Sequence, residues 1–405
     1  MRTTANGVKL LLAMSAVTFA AWAIQAGPGQ GIHYGPWMIS PYVDESGTYD
    51  SNINQDSANA RDDYFLNSEV GVRASYSAYM IEANALGYGG YRSYADTSDK
   101  DFGSGGEIVG VKYGLRERVL VQADESFRHV SDVDTHGSET AIGGISADSV
   151  LDAATRAKRD LSHFGASLGR DMTEKVEMDF GYRYDAARYD EAGLANLVGH
   201  NGQLEGAYQI TDKSAAFATL FGGLQKNSAV DDAADYYGVR LGAKTHGTDK
   251  VSIKAGAGVE QYDRPSGTGD NVTRFNFDAQ AVWVLTDKVL LRAGGRNGTL
   301  MSSILTDNAS DYTVVWAGAV YRMLPTVALS LSGMYRIDDY IDPVTLPDGS
   351  SEDRQDKGKG LRARADYQTP ASFMSLYAET SYEAVDSNVN NYDETRVSIG
   401  ANLKY

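Results

Sequence analysis

The 405-residue sequence has no cysteine, only 8 prolines and, beyond its first 26 residues, no long apolar run. The missing cysteine excludes disulfide scaffolds, cysteine-ligated zinc, iron–sulfur clusters and thiol nucleophiles. The missing apolar run excludes a spanning helix, which needs about 20 consecutive apolar residues. Cations are in deficit: 37 Lys and Arg stand against 54 Asp and Glu, a formal charge of −17. That balance argues against nucleic acid as a partner, because the phosphate backbone would be repelled. Catalytic signatures are missing as well, with no Gly-x-Ser-x-Gly elbow, His-Glu-x-x-His helix or phosphate-cradling glycine loop. Neither an enzyme nor a cofactor is expected.

What is present begins with Arg2 and Lys9, followed by the apolar stretch Leu10–Ala26. This is the pattern of a secretory signal peptide, with small-residue exits at Ala21-Trp22-Ala23 and Ile24-Gln25-Ala26. Cleavage after Ala26 would leave residues 27–405 as a single domain; the alternative, an uncleaved anchor, is short for a bilayer span. An exported chain without a spanning helix enters a membrane only as a closed barrel.

From Trp37 onward apolar and polar residues alternate in runs of about ten, the period of a strand. Val176, Met178, Phe180, Tyr182 and Tyr184 share one face, and Glu177, Asp179, Gly181, Arg183 and Asp185 the other. Val251, Ile253, Ala255, Ala257 and Val259 likewise oppose Ser252, Lys254, Gly256, Gly258 and Glu260. In Ala215–Leu224 and Tyr312–Met323 the two faces are not distinguishable. The runs number about 18, between 16 and 18 by the count of ambiguous segments. Their connections alternate between short and long. Four of the short ones share a pattern: Met172-Thr173-Glu174-Lys175, Ile210-Thr211-Asp212-Lys213, Gly247-Thr248-Asp249-Lys250 and Leu285-Thr286-Asp287-Lys288. Asp is expected to cap these turns through its side chain. The long connections, such as Ser131–Lys158 and Asp338–Lys357, are acidic or rich in Gly and Ser.

A stack of soluble β-sandwiches would share period two, but with mixed loop lengths and charges outward. The pattern predicts an all-β, transmembrane, antiparallel up-and-down barrel with short periplasmic turns and long extracellular loops, its charged face lining the lumen. On that reading the pore-lining candidates are Glu177, Asp179, Arg183, Lys254, Arg292, Arg296, Arg336, Arg362, Arg364, Glu379 and Arg396. Arg362 or Arg364 is expected to pair with Glu379 or Glu383 on the next strand. His163, with Asp160 close in sequence, is a lone polar histidine of the inner wall. Tyrosines such as Tyr76, Tyr113, Tyr208, Tyr335 and Tyr382 suit the aromatic girdles. Within Ser131–Lys158 a short helix capped by Asp148 is expected, either folded inward as a constriction or standing over the outer surface.

The segment Ile39-Ser40-Pro41-Tyr42 through Tyr49-Asp50-Ser51-Asn52-Ile53 resembles the opening of the putative β-barrel porin 2 family of Gram-negative outer-membrane proteins. The likeness extends loosely over the mature chain through its Gly/Tyr/Arg-bearing strands and Thr-Asp-Lys turns. It implies a wide polar conduit without enzymatic activity, associated with export of extracellular polysaccharide. The ending Asn402-Leu403-Lys404-Tyr405 is similar to the terminal strand of such barrels, whose final aromatic is read by the barrel-assembly machinery. The expected partners are therefore outer-membrane lipid, lipopolysaccharide, that machinery and polysaccharide. Two functions follow: a passive channel for polar solutes, or a surface adhesin or anchor whose loops bind glycans without transport.

Overall fold

A computed structural model describes residues 31–115, 119–131, 157–190, 194–228, 233–248, 250–263, 271–301, 309–341, 343–345, 351–388 and 391–405. The expected signal peptide, 1–26, lies outside them. Eighteen long strands form one antiparallel sheet. They are β1 (Trp37–Asp50), β2 (Asp63–Ala78), β3 (Ile81–Tyr94), β4 (Phe102–Leu115), β5 (Val119–Val130) and β6 (Arg159–Asp171). Next come β7 (Val176–Tyr189), β8 (Leu197–Thr211), β9 (Ser214–Asn227), β10 (Ala234–Thr248), β11 (Val251–Asp263) and β12 (Val272–Thr286). The last six are β13 (Val289–Met301), β14 (Ala309–Leu324), β15 (Val327–Tyr340), β16 (Gln355–Gln368), β17 (Met374–Ser387) and β18 (Tyr392–Lys404). Each strand pairs with its neighbours in sequence. The ladder from Tyr42↔Lys404 to Asp50↔Arg396 joins β1 to β18 and closes the barrel. No helix among the described residues is long and apolar enough to cross a membrane; the crossing is made by strands.

At 12 to 16 residues the strands exceed the ten expected. A strand tilted about 40° climbs roughly 2.5 Å per residue, so they stand roughly 30–40 Å tall against an apolar band of about 25 Å. Two aromatic contacts on the outer face of β1 and β2 mark the two edges of that band. Trp37 and Tyr76 lie 5.0 Å apart at the short-turn end, and Tyr49 and Tyr64 lie 5.0 Å apart at the other. Between such edges the outward side chains include many uncovered apolar groups, as with Phe180, Leu220, Leu241, Phe275, Leu331 and Ile399. The clustered, paired charges lie on the concave side, the inverse of a soluble protein.

Short turns of two residues join β2 to β3, β8 to β9, β12 to β13 and β14 to β15. The expected Asp cap is replaced by threonine. Thr173 Oγ1 accepts the N–H groups of Lys175 and Val176 at 3.2 and 3.1 Å, and Thr286 Oγ1 those of Lys288 and Val289 at 3.2 and 3.1 Å. Thr211 Oγ1 accepts the Lys213 N–H at 3.3 Å. A threonine hydroxyl before the reversal points forward over the N–H groups two and three residues on, the short-range side-chain capping that Ser and Thr provide in turns.

The segment carrying the family resemblance locks the seam between first and last strands. Asp50 is fully buried, meets Arg396 Nε at 3.3 Å and accepts the Asn52 N–H at 2.9 Å. Asn52 Nδ2 donates to Asp393 O at 3.1 Å, and Gln55 Nε2 to Glu394 Oε2 at 3.2 Å. Ile53 is buried against Phe65 and Tyr94. Beside this lock, hydrogen bonds from Asn59 and the Ala58 N–H hold the Asp56 carboxyl below its usual pKa.

Candidate pore wall and constriction

The curvature of the wall is legible in which charges meet. Lys244 Nζ on β10 reaches Glu177 Oε2 on β7 at 2.7 Å, and Lys254 Nζ on β11 reaches Glu205 Oε2 on β8 at 2.7 Å. Each pair is three strands apart, roughly 14 Å along the sheet at about 4.8 Å per strand. Side chains bridge that arc only from the concave side, where they converge.

The sequence-derived candidates fall into three groups rather than one ring. On the β7–β11 wall, Glu177 and Lys254 join the cluster just described. Arg183 Nε bonds Asp185 at 2.5 Å, and Asp179 overlies Gly169, where a Cβ would meet its Oδ1 at 2.6 Å. On the β15–β18 wall, Arg336 grips buried Asp338 through Nη2 at 2.7 Å, and Arg362 Nη2 bonds Glu379 at 2.6 Å. Arg364 reaches Glu379 at 3.4 Å and Asp366 at 2.8 Å, while Arg396 belongs to the seam lock. Glu383 instead accepts from the Tyr392 hydroxyl. Between these walls β13 carries Arg292 and Arg296, both half-buried.

Lys244, Arg240 and Arg274 escaped the sequence reading, although each shares its strand face with residues such as Gly238, Gly242 and Asn276 that do point inward. Also unforeseen is a set of inner-wall rings covered by cations: Arg73 over Tyr42, Arg240 over Phe221, Lys254 over Phe217 and Arg336 over Tyr312 at 4.7–5.1 Å, and Arg364 over Tyr377 at 4.0 Å. Each such stack holds a long side chain flat against the wall.

His163 does face inward, but not with Asp160, which bonds His129 Nδ1 at 2.6 Å. Its two ring nitrogens meet Asp185 and Asp124, each at 2.8 Å.

The extracellular half is narrowed by the ends of β13 and β14. The β12–β13 ladder stops at Asp278↔Arg296, although both strands continue. Past that point β13 leaves β12 and travels with β14, paired as far as Met301↔Ala309. Asn297 spans the gap like a missing ladder rung: its Oδ1 accepts the Phe277 N–H at 2.6 Å and its Nδ2 donates to Phe275 O at 2.8 Å. Beyond it the paired ends of β13 and β14 lean inward over the inner face of β9–β11. Gln225 Nε2 on β9 donates to Thr299 O at 3.1 Å, though four strands separate them, roughly 19 Å along the wall. The Thr299 hydroxyl lies 3.1 Å from both Glu260 and Asp311, Arg274 donates to it at 3.3 Å, and Arg274 and Asp311 form an ion pair. Ala309 is buried against Ala234 and Tyr262, with Leu197, Tyr236 and Ile341 packed around them. The expected short helix of Ser131–Lys158, whether folded inward or standing over the outer surface, falls almost wholly outside the described residues.

A closed 18-strand barrel with uncovered apolar groups outside and paired charges inside defines an outer-membrane protein of porin type. The family model described as Putative beta-barrel porin 2 matches residues 26–405, and the chain belongs to that family. Its location is the bacterial outer membrane. Solved structures similar to it include OccAB4 of Acinetobacter baumannii, at 12% identity over 94% of this chain and 100% of that one, TM-score 0.45. OpdO of Pseudomonas aeruginosa is similar at 12% identity over 90% and 97%, TM-score 0.46. OpdK of the same organism, solved with vanillate, is similar at 10% over 91% and 99%, TM-score 0.46. Among curated protein sequences none matches the chain.

Proposed function

We propose that the barrel is a passive channel for polar solutes, passing between the Glu177–Lys244 and Glu205–Lys254 cluster and the arginines of β13–β16. The supporting observation is that the charges of the β7–β11 wall stay wet while paired: Lys254, Glu177 and Arg183 remain 48%, 43% and 53% exposed. Mixed signs on a wetted wall make a selectivity surface for solutes carrying partial or full charge. Glu177, Asp179, Arg183, Lys254, Arg292, Arg296, Arg362, Arg364 and Glu379 act as pore-lining groups on this reading, while buried Arg336 and the seam residue Arg396 brace the wall, and the inward hairpin sets the narrowest passage. Export of an extracellular polysaccharide is the finer form, supported by the family resemblance and by the inner-wall rings beside charged groups. No catalysis is included, since both nitrogens of His163 are held by carboxylates and leave the imidazole no position from which to act as a base. Lipopolysaccharide around the outer wall, and assembly machinery reading Tyr405, complete the set of partners.

Planar-bilayer recording tests the proposal. Discrete, ohmic conductance steps are expected from the purified barrel, and Lys254→Glu should shift reversal potential toward cation preference. A folded barrel without conductance would overturn it in favour of a closed surface anchor.

A further inference from the structure

The outer wall is not uniformly fit for lipid. On β1, β4 and β5 the outward positions Glu45, Glu107 and Glu125 are exposed carboxylates, each five residues inside the extracellular end of its strand. At that depth β7, β12, β15 and β18 carry outward Tyr184, Phe277, Tyr335 and Val397. Glu45 lies between the two aromatic edges and among the described residues bonds only Ser68 Oγ, at 2.6 Å. Glu107 and Glu125 have no hydrogen bond or ion pair among the described residues. The wall is low on β1 and β3, where a Cβ added at Gly47, Gly87 or Gly89 would meet nothing within 4 Å, and apolar on β4–β6, where Phe127 stands across from Glu107 and Val109 and Phe164 flank Glu125. Carboxylates facing hydrocarbon are unfavourable, whereas small residues let another wall approach closely.

We infer that the β1–β5 outer wall is an interface for a second copy of this chain, seated through the outward lysines of the partner's β16. Charge complementarity selects that occupant. Lys357 and Lys359 are exposed, point outward and have no partner among the described residues. Lys359 lies four residues inside its strand end, the depth of the three glutamates to within one residue. Five strands over the apolar band present roughly 500–600 Å² per copy, about the 1,000 Å² in total that a specific contact needs. Because the acidic and basic faces are offset around the wall, the contact is heterologous and closes into a ring.

The chain's lack of cysteine makes the test direct. The double variant Glu107→Cys/Lys359→Cys, folded in detergent and treated with a short bis-maleimide, is expected to give a ladder of linked multimers, with either single variant giving none. Linkage within one chain is excluded, since β4 and β16 are six strands apart, roughly 29 Å along the wall. A double variant that is folded by heat-modifiable migration and stays monomeric would overturn the inference. As a second measurement, the wild-type mass in detergent should be a multiple of the monomer and fall to one copy in Lys357→Glu/Lys359→Glu; a monomeric wild type, or an unchanged mass, would also overturn it.

Discussion

The two rims of the barrel are ends of the same strands, and they obey different rules. At the periplasmic rim the strands stay paired down to tight hairpins, four of them through a register shift beside the turn, and the repeated threonine closes the turn with groups two and three residues away. At the extracellular rim the ladder opens between β12 and β13, the paired ends of β13 and β14 lean inward over β9–β11, and the first strand is bolted to the last. The partners there are distant: Gln225 with Thr299, Arg274 with Asp311, Gln55 with Glu394. One rim is local chemistry repeated; the other is assembled from contacts far apart in sequence.

The largest effect expected from disturbing this difference is at the constriction. Replacing Gly298–Ser310 by a short turn should make the extracellular half resemble the periplasmic one and raise single-channel conductance roughly twofold or more, since the narrowest section dominates resistance. No increase would show that the hairpin does not set that section. Next is the seam. Asp50→Ala removes a buried carboxylate that serves Arg396 and the Asn52 N–H, and should cost roughly 2–3 kcal/mol, read as a lower temperature for loss of the compact band in heat-modifiability gels. The smallest effect separates the two residues of one turn. Thr286→Ala should cost about 1 kcal/mol, and Asp287→Ala close to nothing, in urea unfolding of the refolded barrel. Equal costs would restore aspartate as the cap.

This contrast also explains what could be read from sequence. Strand existence is legible in period two, because lipid on one side and water on the other impose a clean alternation on strands such as β7 and β11; which face is outside follows only when the export signal, the strand number and the alternation of short and long connections are added. The turn motif was visible too, but the polar atom doing the capping was misassigned, since Thr and Asp offer similar oxygen acceptors one residue apart. The two runs that would not resolve into faces, in β9 and β14, are those whose inner faces are packed: Phe217 lies with Ala207 and Ala215, and Val314 with Met334 and Trp316. Burial against protein erases the difference between lumen and lipid. The pore-lining candidates were gathered by parity alone, so their grouping could not be foreseen. Pairings three strands apart depend on curvature, and the inward hairpin depends on one asparagine imitating a ladder rung.

The most direct test of the central claim, that water wets the charged side of strands such as β11 and hydrocarbon the other, is a cysteine scan along that strand. Single cysteines at Ser252, Ile253, Lys254, Ala255 and Val259 would be treated in reconstituted membranes with a water-soluble, membrane-impermeant thiol reagent. Positions 252 and 254 should be modified, and 253, 255 and 259 protected. Equal labelling along the strand, or labelling of the apolar set alone, would contradict the account.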